Sequence, residues 1–432
     1  MAAVSRYCRP GGASLLLELP VPTAQWAETA MPPRLVAVPM PGWAADLGVP
    51  EAENGLLVPE DAIVPGDGAL WRRTAWFSAV AWFLHGQAER AHEAVSGPIH
   101  SYRLRLGGWD DRLWDRAWVN RIALFLRRWA ARRAGAGEAA LFGPLPDADI
   151  ILTHDLDAIR KTSAIRIKQA AFHLFNAVRA LGRGKPGEGL RRLGCALRFA
   201  AGPNDEAGLD SLATLVARHG MTARLHVHGG GGKGRRISRW LLDPAYDPMA
   251  LPLASTLRDL AARGWDIGLH PSFHAWTDRN ALIAERERVE QALDAPVTAC
   301  RQHWLRFSWA ATWAAQAGAG LRTDTTLGFN DRSGFRNGAA LAVQPWDCAA
   351  AAPLPIVAMP LVLMDSHLFD YALLESAGRH AAIDRWIGEI RAVRGIASVL
   401  WHPHTLGRDY GWRPEFEALL TQLSGLNRGA VG

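Results

Sequence analysis

The sequence predicts an α/β protein: a parallel barrel of alternating strands and helices with fewer than eight strands, preceded by a smaller mixed α/β unit. Three observations predict it. From Ala148 onward, seven short β-prone apolar runs alternate with helical patterns. Five of those runs end in polar residues able to do chemistry, the place where a parallel barrel carries its site. Residues 1–146 read differently: Pro and Gly first (Pro32-Pro33, Pro41-Gly42, Pro65-Gly66), helical patterns after.

Composition sets the outer limits. The chain has 432 residues, 49% hydrophobic and 21% charged, an ordinary globular balance. That length predicts two domains, 1–146 and 147–432. No window reaches the ~18 uncharged apolar residues of a membrane span. Met1–Pro20 lacks the basic-then-apolar order of a signal peptide. The four cysteines, Cys8, Cys195, Cys300 and Cys348, are far apart and contain no Cys-x-x-Cys. Together these features predict a cytoplasmic protein.

In the first unit, Trp71–Glu89 reads as an apolar helix or part of one. Trp109–Arg133 repeats Leu113, Trp114, Trp118, Ile122, Phe125 and Trp129 at helical spacing, with arginines on the other face. Gly135–Asp147 reads as a linker. The seven β-like runs are Ile150–Thr153, Ala223–Val227, Trp265–Leu269, Val297–Cys300, Leu321–Thr325, Ile356–Met364 and Ile396–Trp401. Helical patterns between them include Ser255–Arg263, Arg279–Leu293 and Ile383–Val393, with Asp278 placed to cap the second.

The formal charge is +6, almost all of the base being arginine. It is concentrated: residues 160–239 hold sixteen basic and four acidic side chains. Ser163–Arg183 there is broadly apolar, with Arg166, Lys168 and Arg179 as its cations, and Arg191, Arg192 and Arg198 flank a second apolar patch. The segment reads as a basic amphipathic helical insertion over 160–220. It either covers the barrel or, over 160–200, touches an anionic membrane surface. Nucleic acid is not expected, because no helix-turn-helix, zinc-finger or aromatic RNA-binding signature accompanies the charge.

The polar strand ends carry the function. The first run opens into His154-Asp155-Leu156-Asp157 and the third into His270-Pro271-Ser272-Phe273-His274. The fourth opens into Arg301-Gln302-His303-Trp304, the fifth into Asp324, and the seventh into Trp401-His402-Pro403-His404. Either Asp155 or Asp157, with His270 and His274, makes a two-His-one-carboxylate set that leaves room for water and substrate. His226 and His228 on the second run are ambiguous in facing, and His228 with Gly229–Gly232 marks a loop at that strand's end.

From Ala148 to about 410 the sequence resembles the polysaccharide deacetylases of the NodB-homology fold (carbohydrate esterase family 4), in a branch with a Thr-His-Asp-x-Asp first motif. Thr153–Asp157 resembles the first motif, His270 and His274 the His-x-x-x-His metal motif, and Arg301 with Trp304 the arginine motif. Asp324 resembles the aspartate motif and Leu400-Trp401-His402 the Leu-x-His motif. Two departures stand out. Leu156 separates the aspartates, so their roles could exchange, and Gln302-His303 replaces the usual prolines.

The resemblance implies a distorted (β/α)7 NodB-like barrel and a metal-dependent hydrolase that removes an N-acetyl group from a sugar, polysaccharide or glycan precursor. It implies a divalent ion, zinc first, with Ni, Co, Fe or Mn as alternatives, held by Asp157, His270 and His274. Asp155 would be the base, His402 the acid, Arg301 the holder of the base and Asp324 the orienter of His402 or another active-site group. A backbone N–H after Arg301 would face the oxyanion. Trp304, His154, Arg336 and His404 would touch substrate. The rival readings are an inactive glycan-binding barrel and a deformylase or other C–N hydrolase on the same fold.

Overall fold

The computed structural model describes residues 5–9, 12–24, 31–47, 55–159, 163–202, 208–230, 242–408 and 410–428. Parts of the basic segment, including Lys161, Gly231 and Lys233, therefore lie outside the described residues, as do the side chains of Ile165 and Lys168.

The first unit holds an antiparallel pair, β1 (Leu35–Val38) with β2 (Leu56–Pro59). Helices of seven residues or more are numbered here. The first three are α1 (Trp76–Leu84), α2 (Gln87–Ser96) and α3 (Trp118–Arg133). The expected helix over Trp71–Glu89 is divided, because Gly86 at φ +57° ends one turn before α2 begins. The expected helix over Trp109–Arg133 starts later, at Trp118. Before it, the Asp110 carboxylate accepts the Arg112 N–H and caps a separate short turn, Asp111–Trp114. The stretch read as a linker contains a helical turn, Glu138–Phe142.

The second unit is built on β3 (Asp149–Leu156), β4 (Arg224–His228), β5 (Asp266–His270), β6 (Ala299–Cys300) and β7 (Thr323–Asp324). A small antiparallel pair follows, β8 (Trp346–Asp347) with β9 (Ala352–Pro353). The last strands are β10 (Val357–Ala358), β11 (Leu361–Met364) and β12 (Ile396–Leu400). The main sheet is parallel throughout, in the order β10-β7-β6-β5-β4-β3-β12-β11.

Residues 357–364 occupy both ends of that list. Val357 and Ala358 pair with β7; after Pro360, which has no N–H to give, Leu361–Met364 pair with β12. One kinked segment thus joins the two ends of the sheet, which curls into a barrel of seven chain passages. All seven predicted runs fall on these passages. The helices of this unit are α4 (Ser163–Gly182), α5 (Pro186–Ala201), α6 (Leu209–Arg218), α7 (Leu251–Ala262), α8 (Arg279–Leu293), α9 (Thr312–Gly318), α10 (Ser376–Ala392) and α11 (Arg413–Arg428). Asp278 caps α8, its carboxylate accepting the N–H groups of Asn280 and Ala281.

The strands are apolar because helices or the first unit cover them, as parallel sheets require. One hydrophobic core runs from Trp76, Trp118 and Phe125 in the first unit to Leu225, Ile267 and Val399 in the barrel. Polar contacts tie the two together. Tyr7 Oη donates to Val393 O at 2.6 Å, and the Arg121 guanidinium meets the Glu389 carboxylate at 2.6 Å, both buried. Backbone N–H groups of Arg103 and Leu104 donate to the Asp331 carboxylate, each at 2.9 Å.

Candidate metal centre and active site

Seven chain passages end on one side, and the site stands on those ends. Asp155 lies on β3, directly paired with His226 on β4. Asp157 follows two residues later on the same side of the strand. His270 closes β5, Arg301 and His303 follow β6, Asp365 follows β11 and His402 follows β12. A cavity of about 580 Å³ opens over them, lined by Asp155, Asp157, His270, His303, Asp365 and His402.

Three imidazoles converge on one carboxylate. His270 Nε2 lies 3.3 Å and His303 Nε2 3.7 Å from Asp157 Oδ1, and His402 Nε2 lies 3.6 Å from Asp157 Oδ2. In each ring the other nitrogen faces an acceptor. His270 Nδ1 is 2.7 Å from Arg301 O, His303 Nδ1 3.6 Å from Asp243 Oδ1, and His402 Nδ1 2.8 Å from Asp365 Oδ1. The contacts of His270 and His402 are hydrogen bonds of the kind that orient imidazoles for metal ligation, and that of His303 is an ion-pair approach. Asp157 Oδ1 makes no hydrogen bond although buried. Asp157, His270 and His303 offer donor atoms all within 4.8 Å of one another. A tetrahedral ion with ligands at ~2.1 Å holds them ~3.4 Å apart, so the separations of Asp157 from both rings fit such an ion.

Asp155 sits beneath this group. Its Oδ1 is 2.9 Å from His226 Nδ1 and accepts from Arg301 Nη1 at 3.3 Å, while Oδ2 is 4.0 Å from His270 Nε2. Arg301 is fully buried and also donates to Thr153 Oγ1 and Thr325 O. Burial alone would raise the Asp155 carboxyl, but Arg301, His270 and His226 outweigh it and hold it well below the usual range. The same opposition, with His270, His402 and His303 as the cations, holds Asp157 low. Burial lowers His226 to about 3, so this imidazole is neutral beside Arg301. Burial also disfavours charge on His402, yet Asp365, Asp157 and Asp155 raise it to about 10. Gly268, between β4 and β6, has no room for a side chain: a Cβ there would stand 2.8 Å from the His226 ring.

Several sequence expectations are corrected here. His274 is exposed at the entry to the turn Ala275–Thr277, outside the Asp157–His270–His303 group. The chain leaves β5 through Pro271-Ser272 and turns it outward, and His303 from the neighbouring strand takes the place beside His270. Asp324 does not orient His402. Its carboxylate is fully buried and spent on Trp313 Nε1 (2.9 Å), Gln316 Nε2 (2.8 Å) and Thr326. Asp365 has that relationship to His402 instead.

His154 does not reach the cavity. It alternates with Thr153 and Asp155 along β3, so it faces the opposite side, stacked on Trp265 with Nδ1 2.5 Å from Trp401 O. Arg336 is buried against Glu89 of the first unit, also donating to Ser101 Oγ and Gly328 O; it is a strut, not a cavity residue. The Gln302 N–H, the one after Arg301, donates to Thr326 Oγ1 at 3.0 Å and is not aimed at a substrate oxygen.

Trp304 and His404 do line the cavity. Trp304 is partly exposed at the rim, and it and Leu305 have φ of +57° and +46°. Asn330 Nδ2 donates to Trp304 O at 2.8 Å and Ser101 Oγ to Leu305 O at 2.5 Å, so the first unit helps hold this strained pair. Burial keeps His404 neutral, lowered to about 4. His228 is buried with Nδ1 3.2 Å from His270 O and does not line the cavity.

His303, Asp243 and Asp365 were missed as site residues. The signal for His303 was present in the Gln302-His303 departure. Nothing local marked Asp243 or Asp365 beyond a carboxylate near a strand end or loop.

Among the described residues no helix is long and apolar enough to cross a membrane. No family model matches the chain, and no curated protein matches it. Solved structures do. A protein from Mycobacterium smegmatis described as a polysaccharide deacetylase aligns at 16% identity and TM-score 0.38, over 65% of this chain and 85% of that one. A family 4 carbohydrate esterase from Streptomyces lividans, in complex with acetate, aligns at 10% identity and TM-score 0.29, over 66% and 90%. A pseudoenzyme of the same family from Bacillus anthracis aligns at 12% identity and TM-score 0.27, over 66% and 62%. In the barrel that its strands build and the polar motifs that end them, this chain resembles the polysaccharide deacetylases of carbohydrate esterase family 4.

Proposed function

We propose that the protein is a metal-dependent amidohydrolase that removes an N-acetyl group from a sugar or glycan precursor. The observation that carries this reading is the convergence of His270, His303 and His402 on Asp157, above a buried Asp155. Asp157, His270 and His303 would hold a divalent ion, zinc suiting a borderline N/O donor set best. When bound, that ion supplies Lewis-acid polarisation of the acyl oxygen and a more acidic water.

The chain's own residues divide the proton work. Asp155, kept ionised by Arg301, accepts a proton from the attacking water. Arg301 cannot drift, because its other donors are committed to Thr153 and Thr325. His402, kept charged by Asp365, gives its proton to the departing amine as the C–N bond breaks. Two groups with environments that push their proton affinities apart, one low and one high, are the pattern of an acid and a base working together. Trp304, Tyr410 and Trp412 give the cavity wall flat apolar faces of the kind sugar rings stack on.

The test is acetate release by metal-loaded protein from a panel of N-acetylated sugars and their nucleotide- and lipid-linked forms, run beside Asp155→Asn. Release by wild type and none by the variant supports the reading. Glycan binding that survives Asp155→Asn, with no acetate from either protein, would replace it with an inactive binding barrel. Formate from N-formylated analogues in place of acetate would make the enzyme a deformylase.

A further inference from the structure

The hairpin of α4 and α5 carries apolar side chains where water should be. On α4, Ile167, Ala171, Leu174, Phe175, Val178 and Leu181 follow one another at helical spacing, and all are exposed, Phe175 by 63% and Val178 by 64%. The opposite stripe, His173, Asn176, Ala177 and Ala180, is buried and half polar. The helix is therefore inverted relative to an ordinary surface helix. On α5, Leu190 and Leu197, two turns apart, are exposed by 67% and 72%. A contiguous apolar stripe of this size on a surface marks a contact site.

Charge selects the partner. Residues 163–202 hold eight Lys and Arg against Glu188 alone. The inner cations moor the hairpin: Arg192 Nη1 donates to Asp370 Oδ1 at 2.9 Å, and Arg179 donates to the carbonyls of Asp370 and Tyr371. Arg191 is paired with Glu188, while Arg183, Lys185 and Arg198 are exposed on the same hairpin. Cations flanking an exposed apolar helix face fit an anionic lipid surface. A second copy of the chain would set these cations against themselves. The stripe also reaches the cavity: Ala171 belongs to both, and Gln169, Phe172, Asp370 and Tyr371 line the same rim.

We propose that this hairpin docks on an anionic phospholipid membrane, with the α4 stripe in the headgroup boundary, and that the cavity beside it takes a glycan carried on a membrane lipid. The docking stands on the hairpin alone; the lipid-borne substrate rests on the hydrolase reading.

The experiment is co-sedimentation of the full chain with vesicles of phosphatidylcholine, with and without phosphatidylglycerol. Expected is binding to the anionic vesicles ~10-fold or more above the neutral ones, weakening with salt. The Leu174→Ser/Phe175→Ser/Val178→Ser variant should lose that binding by a similar factor with unchanged thermal unfolding, since these side chains are already in water. Arg183→Gln/Lys185→Gln should reduce the preference for anionic lipid. Equal binding to both vesicle types, no binding, or undiminished binding by the serine variant overturns the proposal. So does a wild-type dimer, seen by light scattering, that the serine variant converts to monomer. None of these readouts needs metal or activity, so a failed hydrolase reading would leave the vesicle result standing. If docking holds, higher turnover of a lipid-linked substrate in anionic than in neutral vesicles is the outcome that supports the second half, and equal turnover overturns it.

Discussion

Asp365 holds His402 at two points. Its Oδ1 is 2.8 Å from His402 Nδ1, and its Oδ2 accepts the His402 backbone N–H at 2.9 Å. Thr405 Oγ1 donates to the same Oδ2 at 3.1 Å, so the carboxylate cannot swing away from the ring. The acid of the proposed reaction is thus fixed in position by one buried side chain, which also leads Asp157 and Asp155 in keeping it charged.

Asp365→Asn should therefore lower kcat on the order of 10²–10⁴-fold. Metal content should stay at the wild-type level, because Asp365 is outside the Asp157–His270–His303 group. The alkaline limb of the pH–rate profile should move to lower pH, since the foremost of the anions that keep His402 charged is gone. An unchanged alkaline limb would remove Asp365 from this role.

His303→Ala and His274→Ala separate the two possible ligand pairs. The first should weaken metal binding on the order of 100-fold or more, and the second should leave it unchanged. Asp243→Asn, behind His303, should give an intermediate loss of about 10-fold. Elemental analysis after dialysis reads all three, and metal loss in His274→Ala with retention in His303→Ala would reverse the assignment.

Glu285 should make stability depend on pH. It is buried in α8, where its carboxylate accepts the Ser272 N–H at 2.7 Å and the Ser272 hydroxyl at 2.5 Å. Burial raises it from 4.5 to about 7. Below its unfolded value both states hold the proton, and the group has no effect on stability. Between the unfolded value and about 7 only the folded state holds it, so stability falls as pH rises, then levels off. The fall is on the order of 3 kcal/mol. Glu285→Gln keeps an acceptor for the Ser272 N–H and should reduce the slope, leaving the share from Asp370, which burial raises to about 6, and should melt above wild type at pH near 8. Parallel melting curves across this range would refute it.

Arg336→Ala should lower Tm by several degrees, because it leaves the buried Glu89 carboxyl without its partner, a loss of about 3–5 kcal/mol. The KM of the folded fraction should not change. A raised KM with unchanged Tm would return Arg336 to the substrate.

The strands were readable because buried parallel strands need continuous apolar runs, and each of the seven runs is bounded by a turn or a polar cluster. Arg279–Leu293 was readable to the residue because Asp278 both stops the preceding chain and caps the helix. The ligand set was not, because it depends on which strands are neighbours. The His270/His274 spacing suggests a pair within one loop, whereas the pair in space joins β5 to β6. Asp324 ends one strand and Asp365 follows another, and only the pairing of β11 with β12 shows which one faces His402. For His154 the obstacle was parity: an odd or even position on β3 decides between cavity and core.

The kinked segment 357–364 divides the site into two parts. Asp157, His270 and His303 come from β3, β5 and β6, in the unbroken middle of the sheet. Asp365 follows the segment that seals the ring, and among the anions that raise His402 it is the foremost. On the proposed reading, the groups that would hold the cation and the pair that would move the proton stand on different parts of the ring, and the seam at Pro360 joins them.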